Sequence, residues 1–448
     1  MKLFGLEIDK KFFNGKKRRA CFPVFLAVCL ACMMFSGCSG GNASDGAGNG
    51  TAAGSGTAAA AEISQAAGAA GTSDGAGSKD TDTDIAEINI ISESDEAETT
   101  DEVPDEADAE ESAVPETADP ELPPEEGMVR SFLTNEWTTA ELASKRPIAV
   151  MYPTDKKAQP QYGLDRVEIF YEIMEEGSMS RQMGIITDWS DLERIGNIRS
   201  TRDYFIISSM EWDSILVHFG GPEVFVKDIL TRDDVDNING VGGEMGSDYG
   251  AFYRIPAGSR SEHTAYTDGS HIDKAIEKAG FETEFREAFS SEKHWKFSPA
   301  SVPFVLDSLP GCADASSVDM AGCYPITKSS FKYNAEDGLY YRSIYGEAQK
   351  DAITGEQMAF SNILIESCTW GERGAGYLYF HVLDEGHKGY YITGGKIIPC
   401  TWSKTSEYGT TVFYDLNGDE ITLNTGKTII CIARDCDSFT ADGVRYEL

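Results

Sequence analysis

The alternation of apolar and polar side chains is sharpest between Arg166 and Gly221. Val167, Ile169, Tyr171 and Ile173 alternate with Glu168, Phe170, Glu172 and Met174, the two-residue period of a strand. Glu175-Glu176-Gly177-Ser178 reads as a turn and Arg181 to Trp189 as the returning strand, so the two should pair as a hairpin. The apolar run Arg146-Pro147-Ile148-Ala149-Val150-Met151, ended by Pro153, predicts a buried strand before them. After them, Ser200 or Thr201 is a natural N-cap with Asp203 in the first turn, and Phe205, Ile206 and Ser209 continue at helical spacing as far as about Trp212. Ser214 to Phe219 predicts a strand, Gly220-Gly221-Pro222 a turn, and Glu223 to Leu230 a helix entered at a proline. Strand, helix, strand, helix in short succession points to an α/β layer. A further helix opens at Ser270, carries Ile272, Ala275, Ile276 and Ala279, and closes at Gly280.

Past residue 293 helical periodicity nearly disappears and turns recur at short intervals, the pattern of a sheet. Expected strands include Leu339 to Ile344, Asn362 to Cys368, Gly389 to Thr393, Lys396 to Ser403, Glu420 to Asn424 and Thr428 to Ala433. Asn417-Gly418 between two alternating runs is the strongest hairpin signal. The expected architecture is therefore α+β, with an N-terminal α/β layered domain over 128–292 followed by a mainly antiparallel β domain over 293–448.

The N-terminus is different in kind. Residues 1–38 carry Lys2, Lys10, Lys11, Lys16, Lys17, Arg18 and Arg19, then the apolar run from Ala20 to Phe35, then Ser36-Gly37-Cys38. Basic, then apolar, then small residues before a cysteine is the order of a signal peptide. The ending resembles the lipobox of bacterial lipoproteins, in which the cysteine is acylated, here Cys38. An uncleaved N-terminal anchor gives the same topology. Either reading puts the remainder outside the cytoplasm, tethered to the outer face of the cytoplasmic membrane. Residues 39–127 form an Ala/Gly/Ser and then acidic linker. From 39 to 126 there are 23 acidic residues against the single Lys79, so this stretch supplies 22 of the 36 net negative charges. With few aromatics and strong self-repulsion it predicts a disordered stalk, with a span of roughly 50 Å as a flexible coil.

Charge and motifs then narrow the chemistry. Residues 127–448 hold 49 acids and 30 bases, which argues against nucleic acid as a partner through bulk charge. Gly71-Thr72-Ser73-Asp74-Gly75 lies in the linker and lacks the strand and helix of a nucleophile elbow. Gly240 to Gly246 misses phosphate-loop spacing, and Asp415 to Gly426 misses the glycine and terminal acid of a calcium loop. No metal or cofactor is implied. Among the six cysteines beyond Cys38, Cys312 and Cys323 bracket a short polar loop and are the expected disulfide, with a contribution of about 2 to 3 kcal/mol.

Arg146-Pro147-Ile148-Ala149-Val150-Met151, Pro160-Gln161 with Gly163-Leu164, Tyr171-Glu172 with Glu176-Gly177, Arg181, Ile195-Gly196, Arg199-Ser200 with Arg202, and His218 with Gly220-Gly221 together resemble the YerB-like family of bacterial lipoproteins. Tyr341-Arg342, Asp351, Asn362, Thr401-Trp402 with Lys404, and Leu423-Asn424 with Gly426 extend the likeness into the second half. The resemblance implies two adjoining domains and an envelope location; the family carries no established reaction.

The candidate site is an anion pocket. Arg199 and Arg202 stand before a helix N-terminus whose free amides favour anions, and Arg181, His218, Arg254 and His263 are the residues expected to complete it. The ligand would be an anionic wall component or an envelope protein partner, bound without catalysis. The arginines also have acidic neighbours in Glu172, Glu176 and Asp203, and ion pairs to these would merely tie hairpin to helix. Trp370, Tyr390, Tyr391 and Trp402 would suit stacking on sugars if exposed, while the competing reading, which the composition favours, places most of them in the core. The alternative is a wall hydrolase using His218 or His263 with Glu172 or Glu176 as acid and base.

Overall fold

The computed structural model describes residues 122–256, 262–287, 289 and 294–448. The signal peptide, Cys38 and residues 39–121 of the linker lie outside the described residues. The expected buried strand and hairpin are β1 (Ile148–Pro153), β2 (Ile169–Met174) and β3 (Ser180–Ile186). They are followed by α1 (Asp203–Met210), β4 (Ile215–His218), α2 (Glu223–Leu230), β5 (Asn237–Asn239) and α3 (Gly269–Ala279). Asp268 caps α3 by accepting from the His271 amide, and Gly280 closes it in the left-handed conformation.

In the second half, β6 (Asn362–Cys368), β7 (Asp384–Thr393), β8 (Lys396–Lys404) and β9 (Thr428–Arg434) are the long strands. They join the first half in one eleven-stranded sheet, ordered β8, β7, β6, β9, β2, β3, β1, β4, β5, with short strands beside β8. The seam is the parallel pairing of β9 with β2, which sets Thr428 opposite Ile169 and Ile432 opposite Ile173. β1, β4 and β5 are parallel, as a strand-helix-strand layer requires, whereas β2 and β3 form the expected antiparallel hairpin. The second half is mainly antiparallel, as expected, with β6 running parallel to β9. The described residues are mainly β, with few helices and several sheets.

Both faces of the main sheet are covered. One face packs against a seven-stranded sheet, through Val318, Phe331, Tyr340 and Phe439, and against α3. The other packs against α1, α2 and the loops carrying Trp295 and Leu306. Central strands buried on both sides explain the unbroken apolar runs of β1 and β9, which show no alternation in exposure.

Cys312 and Cys323 are free thiols, which corrects the expected disulfide. Cys323 is buried with its Sγ 3.5 Å from the Ser438 carbonyl, and the loop between them is held by strand pairing of Ser317–Asp319 on both sides.

Candidate functional site

The six expected site residues gather around the carboxyl ends of β1 and β4, where layered α/β sheets commonly place ligands. The Arg199 amide donates to the Met151 carbonyl at the end of β1, and the Arg199 carbonyl accepts from Phe219 just past β4. Thr201 and Gly220 are joined the same way, so the segments that lead into α1 and α2 run side by side. Neither helix has a side chain capping its N-terminus. Of the two expected caps, Ser200 instead accepts from Arg181 and Arg202 through its Oγ and Thr201 does not cap either, so Arg202 stands in the N-cap position.

An open pocket walled by all six residues is not what forms. Arg181 pairs with Glu175, and Arg202 reaches Glu175 at 3.0 Å and Glu176 through its Nε and Nη2. Burial pushes the Glu175 carboxyl up despite these arginines, while Arg202 holds Glu176 below its usual range against its own partial burial. Asp203, another expected partner, meets Arg373 at 2.5 Å. Arg254 stacks over Phe219 at 4.7 Å and donates to Thr264. His263 is buried, with Nε2 3.9 Å from Asp155. His218 is wholly buried between the Gly220 carbonyl at 2.8 Å and Asn237 at 3.3 Å, and burial lowers its pKa.

Arg199 is the exception. It is half-buried, donates from Nη1 to the Glu262 carbonyl at 3.0 Å, and among the described residues has no carboxylate within ion-pair distance. Arg199 thus stands beside the Arg181, Arg202, Glu175 and Glu176 cluster, close enough to act on Glu175 by charge, as Asp155 acts on Arg181.

The acid and base pairs of the hydrolase alternative are not assembled. Glu172 lies on the opposite face of the sheet, bound by Arg342 at 2.6 Å, Ser180 at 2.6 Å and Ser329 at 2.8 Å. Glu176 is spent on Arg202, and both ring nitrogens of His218 are engaged. Of the aromatics weighed between sugar stacking and the core, Tyr391 and Trp402 are fully buried and Tyr390 nearly so, as the core reading has it, while Trp370 lies under Arg434 at 4.7 Å.

Sequence reasoning missed a second feature, a cleft of about 880 Å³ on the α1 side, walled by Phe132, Phe285, Phe289, Trp295 and Phe297. His294 at its floor is held at 2.7 Å by Glu211, which also binds Lys404 at 2.9 Å and Thr411. Burial would raise the Glu211 pKa, but Lys404 and His294 bring it down to about 2. The aromatic spacing around Trp295 gave a signal only as a cluster, since its partners come from segments some 150 residues apart in sequence.

Residues 133–282 match the N-terminal domain, and residues 320–430 the C-terminal domain, of the protein family of unknown function DUF3048. The chain belongs to this YerB-like family. It is similar to the Bacillus subtilis (strain 168) protein named "Putative lipoprotein YerB", with 26% identity over 340 residues, covering 73% of this chain and 90% of that one. The crystal structure of the Bacillus subtilis YerB protein superposes with a TM-score of 0.58 and 26% identity, covering 70% of this chain and 99% of that one.

Proposed function

We propose that this protein is a lipid-anchored envelope protein that binds an anionic cell-wall component without catalysis, with Arg199 as the anchoring cation. The observation that carries this reading is the position of Arg199. It is a cation without a carboxylate partner among the described residues, placed where two uncapped helix N-termini start side by side. Helix N-termini and a guanidinium both favour carboxylate or phosphate oxygens, and on a body of net negative charge they form a local positive spot. The lipoprotein name of the relative and the Ser36-Gly37-Cys38 ending support the anchor. Co-sedimentation of the full-length protein with purified cell walls tests the reading. Binding that weakens as ionic strength rises supports it; walls that leave the protein in the supernatant at low salt refute it.

A further inference from the structure

We infer that a cleft at the seam between the two halves binds a diamino acid, its carboxylate on Lys427 and its two ammonium groups on Glu136, Asp165 and Glu356. The cleft encloses about 410 Å³, within the roughly 300–1,000 Å³ of small-molecule sites. Glu136 and Asp165 line it from the first half, Leu339 and Glu356 from the second, and Lys427 from the turn just before β9. It lies at the amino ends of β2 and β9, whereas Arg199 stands by the carboxyl end of β1, which runs in the same direction as β2 because both are antiparallel to β3. The inference therefore does not depend on Arg199.

Lys427 is fixed by its main chain. Its carbonyl accepts from the Ser361 amide at 2.9 Å and the Asn362 amide at 3.3 Å, and the next residue, Thr428, donates to the Glu168 carbonyl at 3.1 Å. Gly426 precedes it with φ of +126°, and a Cβ there would lie 2.1 Å from the Ser361 Oγ. The Lys427 ammonium donates to the Asp165 carbonyl and has no carboxylate within ion-pair distance among the described residues. Burial pulls its pKa down, while Glu136, Glu168, Asp165 and Glu356 oppose that by charge from further off. The half-buried Asp165 likewise makes no ion pair among the described residues, and burial, with the Asp351 charge adding, pushes its carboxyl up.

One cation and three carboxylates thus line a gap without neutralising one another. A guest that spans such a gap carries a carboxylate at one end and ammonium groups at the other, and its stem would rest on Leu339, Ala359 and the Tyr341 ring, which are half-buried. A diamine would bring further positive charge toward Lys427 with nothing to neutralise it, and a dicarboxylate would meet the three acids. A divalent cation is disfavoured, because no three His, Cys, Asp or Glu side chains among the described residues are grouped to hold a metal. A diamino acid of the lysine type matches both the charges and the apolar floor.

The test is calorimetric titration of the full-length protein in detergent with L-lysine at low salt. Saturable binding is expected. Norleucine, which lacks the side-chain ammonium, and cadaverine, which lacks the carboxylate, should each bind at least roughly tenfold more weakly. Lys427→Met should abolish the preference for lysine over cadaverine. The double variant Glu136→Gln/Glu356→Gln changes two exposed side chains outside the core, so Tm should be retained while lysine affinity falls roughly tenfold or more. That variant carries the test should Lys427→Met fold poorly. No saturable binding of L-lysine, norleucine or cadaverine binding as tightly as lysine, or undiminished affinity in the glutamate double variant would each overturn the inference.

Discussion

The Glu172 carboxylate meets the Arg342 guanidinium at 2.6 Å, and neither side chain is exposed to solvent. One comes from β2 in the first half, the other from the Leu339–Ile344 strand of the second sheet. Ser180 and Ser329 donate to the same carboxylate, so the pair is embedded in a polar knot between the two sheets. Removing one partner strands a buried charge. Arg342→Met is expected to cost roughly 3–5 kcal/mol of folding stability, read by urea denaturation. The double variant Glu172→Leu/Arg342→Met should recover a substantial part of that loss, and a double variant no more stable than Arg342→Met would contradict this account of the pair.

Two glutamates on the other face set opposite pH dependences. Glu366 is buried, and burial, with the Glu211 charge adding and Lys404 opposing, raises its pKa from 4.5 to about 8. The folded state therefore holds a proton that the unfolded chain has released, and stability falls as pH rises from about 4.5 to about 8. Glu366→Gln removes that release. Its Tm relative to the unmodified protein should rise steadily between pH 5 and pH 8, by an amount on the order of a few kcal/mol in stability. A difference that stays flat with pH would contradict a raised Glu366.

Glu211 works in the other direction. Its folded pKa of about 2 lies below 4.5, so its contribution is present above pH 4.5 and is lost as pH falls through about 2. Lys404→Met should shift the acid unfolding midpoint to higher pH, because the strongest pull on that carboxylate is removed. An unmoved acid transition would show that Lys404 does not hold Glu211.

The thiols give a chemical check. Denatured without reductant, the protein should react at both Cys312 and Cys323 with a maleimide, and the native protein should react fastest at exposed Cys436. Recovery of a Cys312–Cys323 linked peptide by mass mapping would contradict the free thiols.

Local elements were legible because their signals are local. The helix from Glu223 to Leu230 and the strand from Leu339 to Ile344 fall on the residues that periodicity and turn chemistry mark. The parallel seam of β9 on β2 was not legible, because nothing in either strand specifies a partner some 250 residues away. The arginines illustrate the same limit. Their proximity to a helix start was readable, but the occupation of Arg181 and Arg202 by Glu175 depends on where the hairpin turn lands in space. Trp402 and Tyr391 are core, as the apolar composition of their strands suggests, but the layer that covers them was not readable from sequence.

The most direct measurement compares Arg199→Gln with the unmodified protein in wall co-sedimentation at low salt, alongside the Tm of each. The Arg199 side chain donates one hydrogen bond, to the Glu262 carbonyl, and makes no ion pair among the described residues, so Tm should stay nearly unchanged while wall affinity drops roughly tenfold or more, about 1.4 kcal/mol. Undiminished wall binding by Arg199→Gln, or a large fall in Tm that accounts for the loss, would contradict the assignment of Arg199 as the anchoring cation.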